Sequence, residues 1–144
     1  MSTIIEFFAA PDDASAARVL RTGPHRVFAS LSFGNFDPEE AVIEWECLLA
    51  GGSFEELVDA GEPRFVAGQD DDGCVVFAIS TRLAAALTGA ERSVVQDAAA
   101  AWSLRRAEDG DVLDADIASV ILGDLTDLVS SARAQGHGVY CWTA

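Results

Sequence analysis

Apolar positions recur at two spacings along the chain, and turn residues separate the runs throughout its length. Ile4 to Phe8 reads as a short, mostly apolar strand closed off by Pro11. Asp12 and Asp13 can cap a short helix that runs to Leu20, with Ala16, Ala17 and Leu20 on one side and Gly23-Pro24 as its breaker. From Val27, the alternation of Val27, Ala29, Leu31 and Phe33 with Phe28, Ser30 and Ser32 suits a half-buried strand.

The clearest helix begins at Asp37. Asp37 serves as N-cap, Pro38 suits the first helical position, and Glu40 is placed to complete a capping box. Val42, Trp45, Leu48 and Leu49 then repeat at helical spacing, and Gly51 supplies the stop. Ser53 with Glu56 marks a second capped helix, closed by Gly61 and Pro63. Arg64 to Ala67 and Cys74 to Ile79 predict a hairpin whose tip carries Asp70, Asp71, Asp72 and Gly73. Ser80 caps a helix to Thr88, and another runs from about Glu91 to Arg106. The last helix starts at Asp114 and ends before Gly136. Ile117, Val120, Ile121, Leu125, Leu128, Val129 and Ala132 are expected to form its core face. Gly123 interrupts that helix at a cost of about 1 kcal/mol against alanine, which hints at close approach by another element or chain. Gly138 to Trp142 is apolar or aromatic on both faces, so it belongs inside a sheet rather than at an edge.

These elements predict one α+β domain over residues 1–144: a small mixed or antiparallel sheet packed by several helices, with the final helix and strand central. No apolar run is long enough for a membrane helix, and the N-terminus has no basic region before Glu6, so a cytoplasmic protein without membrane association is expected.

Charge narrows the classes further. Twenty-four acidic residues stand against nine basic ones, for a formal net charge of −15. All nine basic residues are arginine. Without lysine there can be no Schiff base, no P-loop lysine and no lysine anchor for pyridoxal phosphate. The field also opposes direct binding of nucleic acid. It suits a basic protein partner, which it would steer inward, or it serves solubility alone.

Few residues offer chemistry. Cys47, Cys74 and Cys141 are too widely spaced for a zinc ribbon or a redox pair and read as small buried hydrophobes. The aspartates at 70–72 are consecutive, and calcium loops need ligands at alternating positions, so a solvated turn is the better reading. His25 and His137 are the only near-neutral bases, and no hydrolase, zincin or dinucleotide motif accompanies them. No catalytic residue, cofactor or metal site is therefore expected. Trp45, His137 and Trp142 are the residues from which an aromatic pocket could be built. Glu39, Glu40, Glu44 and Glu46, followed by Glu55, Glu56 and Asp59, form the expected acidic face for a partner.

Three segments carry a family resemblance. They are Trp45-Glu46-Cys47-Leu48-Leu49-Ala50-Gly51, then Gly61-Glu62-Pro63-Arg64 with Ile79-Ser80-Thr81, and finally Asp124 to Gln135 leading into Gly136-His137-Gly138-Val139-Tyr140-Cys141-Trp142. In this order they resemble the YfbM-like family of small bacterial proteins. The resemblance implies an α+β fold and brings no activity with it. The leading expectation is a non-catalytic interaction module for a basic partner, of the immunity or antitoxin kind. A small-molecule binder or minor enzyme with an aromatic and histidine pocket is the alternative, and a nucleic-acid mimic is a third; self-association is open.

Overall fold

Strand periodicity divides the core in two. The computed structural model describes residues 4–24, 27–34, 36–68 and 73–144. The first strand, β1 (Ile5–Ala10), sends Ile5 and Phe7 to one face of the sheet and Phe8 and Ala10 to the other, all fully buried. Along the chain follow α1 (Asp13–Ala17), β2 (Ser30–Phe33), α2 (Pro38–Ala50), α3 (Phe54–Asp59), β3 (Arg64–Gly68) and β4 (Val75–Ala78). Then come α4 (Thr81–Gly89), α5 (Arg92–Glu108), α6 (Ala115–Ala134) and β5 (Gly138–Thr143).

The five strands form one sheet in the order β2-β1-β5-β4-β3, and every neighbouring pair is antiparallel. The closing strand β5 is central, as its two apolar faces require. It pairs with β1 from Ile5 opposite Thr143 to Ala10 opposite Gly138. β2 and β3 are the edges, and β3 is bulged between Phe65 and Ala67.

One face of the sheet carries the larger core. Phe7, Phe77 and Cys141 meet Trp45 from α2, Leu83 from α4, Trp102 from α5 and Leu122 from α6 there. Trp45 and Trp102 pack edge to face with ring centroids 5.0 Å apart, and Phe36 stands against both. The other face carries Phe8, Val76, Ala78, Tyr140 and Trp142, covered by Ala16 of α1 and by Val19. Removing a side chain the size of Phe7 from the larger core would cost about 3–5 kcal/mol.

The expected caps are in place. Asp12, Asp37, Ser53, Ser80 and Asp114 each accept a hydrogen bond from a backbone N–H of the first turn. Each contributes about 1 kcal/mol.

Two boundaries and one helix face depart from the sequence pattern. α1 stops at Ala17 because the chain then tightens into successive i→i−3 bonds, from Arg18 to Ser15, Val19 to Ala16 and Leu20 to Ala17. β2 begins only at Ser30, since the N–H groups of Val27 and Phe28 both turn back onto the Pro24 carbonyl, leaving Val27 67% exposed. On α6 the buried stripe runs through Ala118, Ile121, Leu122, Leu125, Val129 and Ala132, so Ile117 and Val120 point outward. The expected acidic hairpin tip at Asp70, Asp71 and Asp72 lies outside the described residues. Gly23, at φ +79°, lets the chain turn against Trp142; a Cβ there would come within 3.1 Å of the indole.

Candidate functional site

The expected acidic face on α2 does not exist as a surface. Glu44 is 1% exposed and Glu46 4%, because Ala41, Val42 and Ile43 bury α2 around most of its circumference. Both carboxylates are engaged with arginines of later helices. Glu44 Oε2 accepts from Arg106 Nη2 at 2.9 Å and pairs with Arg105 Nε at 2.8 Å. Glu46 Oε1 accepts from the Ser80 hydroxyl, and its Oε2 lies 3.5 Å from Arg82 Nη1. Arg82 also donates to the Ala50 carbonyl at 2.6 Å, which ties the end of α2 to the start of α4.

Arg106 is the hub of this cluster. Its guanidinium reaches Glu40 at 3.0 Å, Glu44 at 2.9 Å, Asp109 at 2.5 Å and Asp111 at 3.2 Å. Glu40 therefore faces Arg106 rather than closing the expected capping box with Asp37. Glu40, Glu44 and Asp109 bring carboxylate oxygens within 4.8 Å of one another, a spacing that could hold a metal ion. All three, however, converge on Arg106 Nη2, so a guanidinium nitrogen already stands where a cation would sit. The arrangement is a buried ion-pair network.

Burial pushes the Glu44 carboxyl above its ordinary value, against the pull of Arg106 and Arg105. Glu39, half-buried, is raised by burial and then by Asp37. Beside the network is a cleft of about 190 Å³ lined by Phe36, Glu40, Trp102, Arg106 and Asp111 among others. Glu44 Oε1, Arg106 Nε and the indole N–H groups of Trp45 and Trp102 are buried without a hydrogen-bond partner among the described residues.

Glu55, Glu56 and Asp59 are exposed on α3, as expected, and with the partly exposed Glu39 and Glu40 they are what remains of the proposed face.

The expected aromatic pocket is not assembled either. Trp45 is fully buried in the core on one side of the sheet, and Trp142 belongs to the cluster on the other, its indole donating to the Leu20 carbonyl at 2.8 Å. The sheet separates them because β5 alternates its side chains between faces. His137 lines a separate hollow of about 300 Å³ with Thr81, Ala84, Val129 and Arg133. His25 is outside the described residues. Cys141 is buried and Cys47 and Cys74 only partly so, a departure from the expectation that all three are buried. Burial raises the thiols of Cys47 and Cys141, which opposes a thiolate nucleophile at either position.

Sequence reasoning missed the outward face of α6. Ile117 is 56% exposed and Val120 60%, with Asp116, Asp124 and Asp127 beside them on the same helical face. Two shallow hollows meet at Val120, one of about 420 Å³ toward Phe33 and one of about 550 Å³ toward the start of α5. Gly123 opens onto the second. The close approach expected at Gly123 is not made within the chain: an added Cβ would meet no other element within 4 Å among the described residues. The signal was present in the sequence, because apolar positions on this helix outnumber what one buried stripe can hold.

No helix among the described residues is long and apolar enough to cross a membrane. Comparisons with family models, with curated proteins and with solved structures find no match, so the YfbM-like resemblance rests on the quoted segments alone.

Proposed function

We infer that this protein is a non-catalytic interaction module for a basic protein partner. The observation that carries this reading is the use made of the arginines. Arg64, Arg82, Arg105 and Arg106 are each bonded to carboxylates within the fold, to Asp13, Glu46, Glu44 and the Arg106 cluster respectively. Each such pair neutralises an acid along with its arginine and leaves the net charge of −15 unchanged, but it engages four of the nine cations, and the exposed carboxylates of α3, α5 and α6 carry the excess. The alternative, a small-molecule binder or minor enzyme, has less support, because Trp45 and Trp142 lie in clusters on opposite faces of the sheet.

Cross-linking in cells followed by mass spectrometry should recover a partner of basic net charge. The reconstituted complex should associate more slowly as salt rises, and more slowly at low salt when Glu55, Glu56 and Asp59 are reversed to arginine. Recovery of only acidic or neutral partners, or an association rate indifferent to salt, would refute the reading.

A further inference from the structure

The outward stripe of α6 interleaves two exposed aliphatics with acidic side chains. Asp116, Ile117, Val120, Gly123, Asp124 and Asp127 fall on one side of the helix, opposite the stripe that enters the core. Neither exposed aliphatic is needed by the core, and among the described residues Arg92 is the only basic side chain lining the two hollows that meet at Val120. Gly123 adds an independent observation. A glycine in the middle of a 20-residue helix weakens it, yet nothing among the described residues approaches closely enough to require one. What a bare backbone allows on an exposed face is close approach by another backbone.

We propose that this face of α6 docks a basic amphipathic helix of the protein partner, whose apolar side covers Ile117 and Val120, whose backbone passes over Gly123, and whose cations meet Asp116, Asp124 and Asp127. The inference rests on the function inferred above and names its seat. Charge complementarity selects the occupant: a second copy of this chain would set the same aspartates against one another, and a nucleic acid would add phosphates to them. The acids of α3 act at longer range, on encounter rather than on the bound state.

Isothermal titration at physiological salt with a synthetic helical peptide, a leucine stripe flanked by lysines, tests the seat. Val120→Ser should weaken binding about tenfold through lost apolar burial, and Asp124→Asn with Asp127→Asn roughly fivefold. Glu55→Gln with Glu56→Gln removes the same charge from α3 and should change binding less than about twofold, since screening at that salt is strong. Gly123→Leu should raise the melting temperature while weakening binding about tenfold, which separates docking from folding. Equal losses from the α3 and α6 charge pairs, or full binding by Val120→Ser, would overturn the seat and leave the basic-partner reading standing. No binding of the peptide by any form, together with failure of the salt test above, would overturn both. A dimer of the protein alone that Val120→Ser dissolves would assign the face to a second copy instead.

Discussion

Replacing Arg106 by methionine removes the cation on which four carboxylates converge. Three of these, Glu40, Asp109 and Asp111, are partly or largely exposed and can return to water at little cost. Glu44 cannot: it is 1% exposed, and its Oε1 already lacks a partner among the described residues. Leaving a buried charge without its counter-ion costs about 3–5 kcal/mol. Arg105, half exposed and 2.8 Å from Glu44, keeps part of the compensation, so the low end, about 3 kcal/mol, is expected. Against a typical total of about 5–15 kcal/mol, that is a large fraction.

Urea unfolding followed by tryptophan fluorescence reads the change. With a slope of about 2 kcal/mol per molar, the midpoint should fall by about 1.5 M at unchanged slope. The loss should also depend on pH. Glu44 has a raised folded pKa, so its contribution is fully present below its unfolded value and is lost as pH rises through the folded one. Without Arg106 that pKa moves further up, and the gap between the two proteins should narrow as pH falls to about 4, where a neutral Glu44 needs no partner. Adding Glu44→Leu to Arg106→Met should recover most of the stability, because an apolar pair of similar volume carries no desolvation penalty. A midpoint shift below about 0.3 M, or a gap that widens in acid, would mean that the network behaves as a surface ion pair and that the burial argument is wrong.

Three further outcomes are expected. Tyr140 is the only tyrosine, and burial, helped by the hydrogen bond it donates to Asp13 at 2.8 Å, pushes it up to about 12; absorbance titration should show no tyrosinate near pH 10, and this contribution to stability is lost as pH rises between the ordinary value and about 12. Asp13 is lowered by its bonds from Arg64 and then Tyr140, so it contributes stability above its unfolded pKa that disappears as pH falls through the folded one; the difference in melting temperature between the protein and Asp13→Asn should shrink in acid. Gly123→Ala should stabilise the free protein by about 1 kcal/mol, roughly 2–4 °C in melting temperature, and a fall instead would show that the chain itself uses the glycine.

Local signals were read well where they are short in range. Asp37, Ser53, Ser80 and Asp114 announce their helices within four residues, because a cap bonds only to its own first turn. The central place of β5 was legible from the apolar or aromatic residues on both its faces, since only a strand covered on both sides can carry Tyr140 and Trp142 on one and Val139 and Cys141 on the other. Boundaries failed where hydrogen bonding changed register, as after Ala17 and around Pro24. No hydrophobic pattern encodes a shift from i−4 to i−3 bonding.

The acidic residues of α2 failed for a different reason, and it bears on how this chain uses charge. Periodicity around Val42, Trp45, Leu48 and Leu49 predicts one buried side, of which Leu48 is in fact 36% exposed, and leaves Glu40, Glu44 and Glu46 on the rest, where acidic residues ordinarily meet water. The contrary signal was the run Ala41-Val42-Ile43, which spans most of a turn and forces α2 to be covered nearly all round. A helix so covered needs counter-ions for its carboxylates: Glu46 draws on Arg82, and Glu40 and Glu44 on Arg105 and Arg106, more than sixty residues away. The exclusive use of arginine fits that demand, because a planar guanidinium can serve several carboxylates at once while an ammonium acts as a single, strongly hydrated point. The same reasoning directs attention away from α2 and toward α6. Acids that are buried and paired contribute little to an outer field, whereas Asp116, Asp124 and Asp127 stand beside exposed aliphatics that nothing within the described chain covers. If the negative charge of this protein selects a partner, it does so where apolar contact can follow the electrostatic encounter, and the outward side of α6 combines the two.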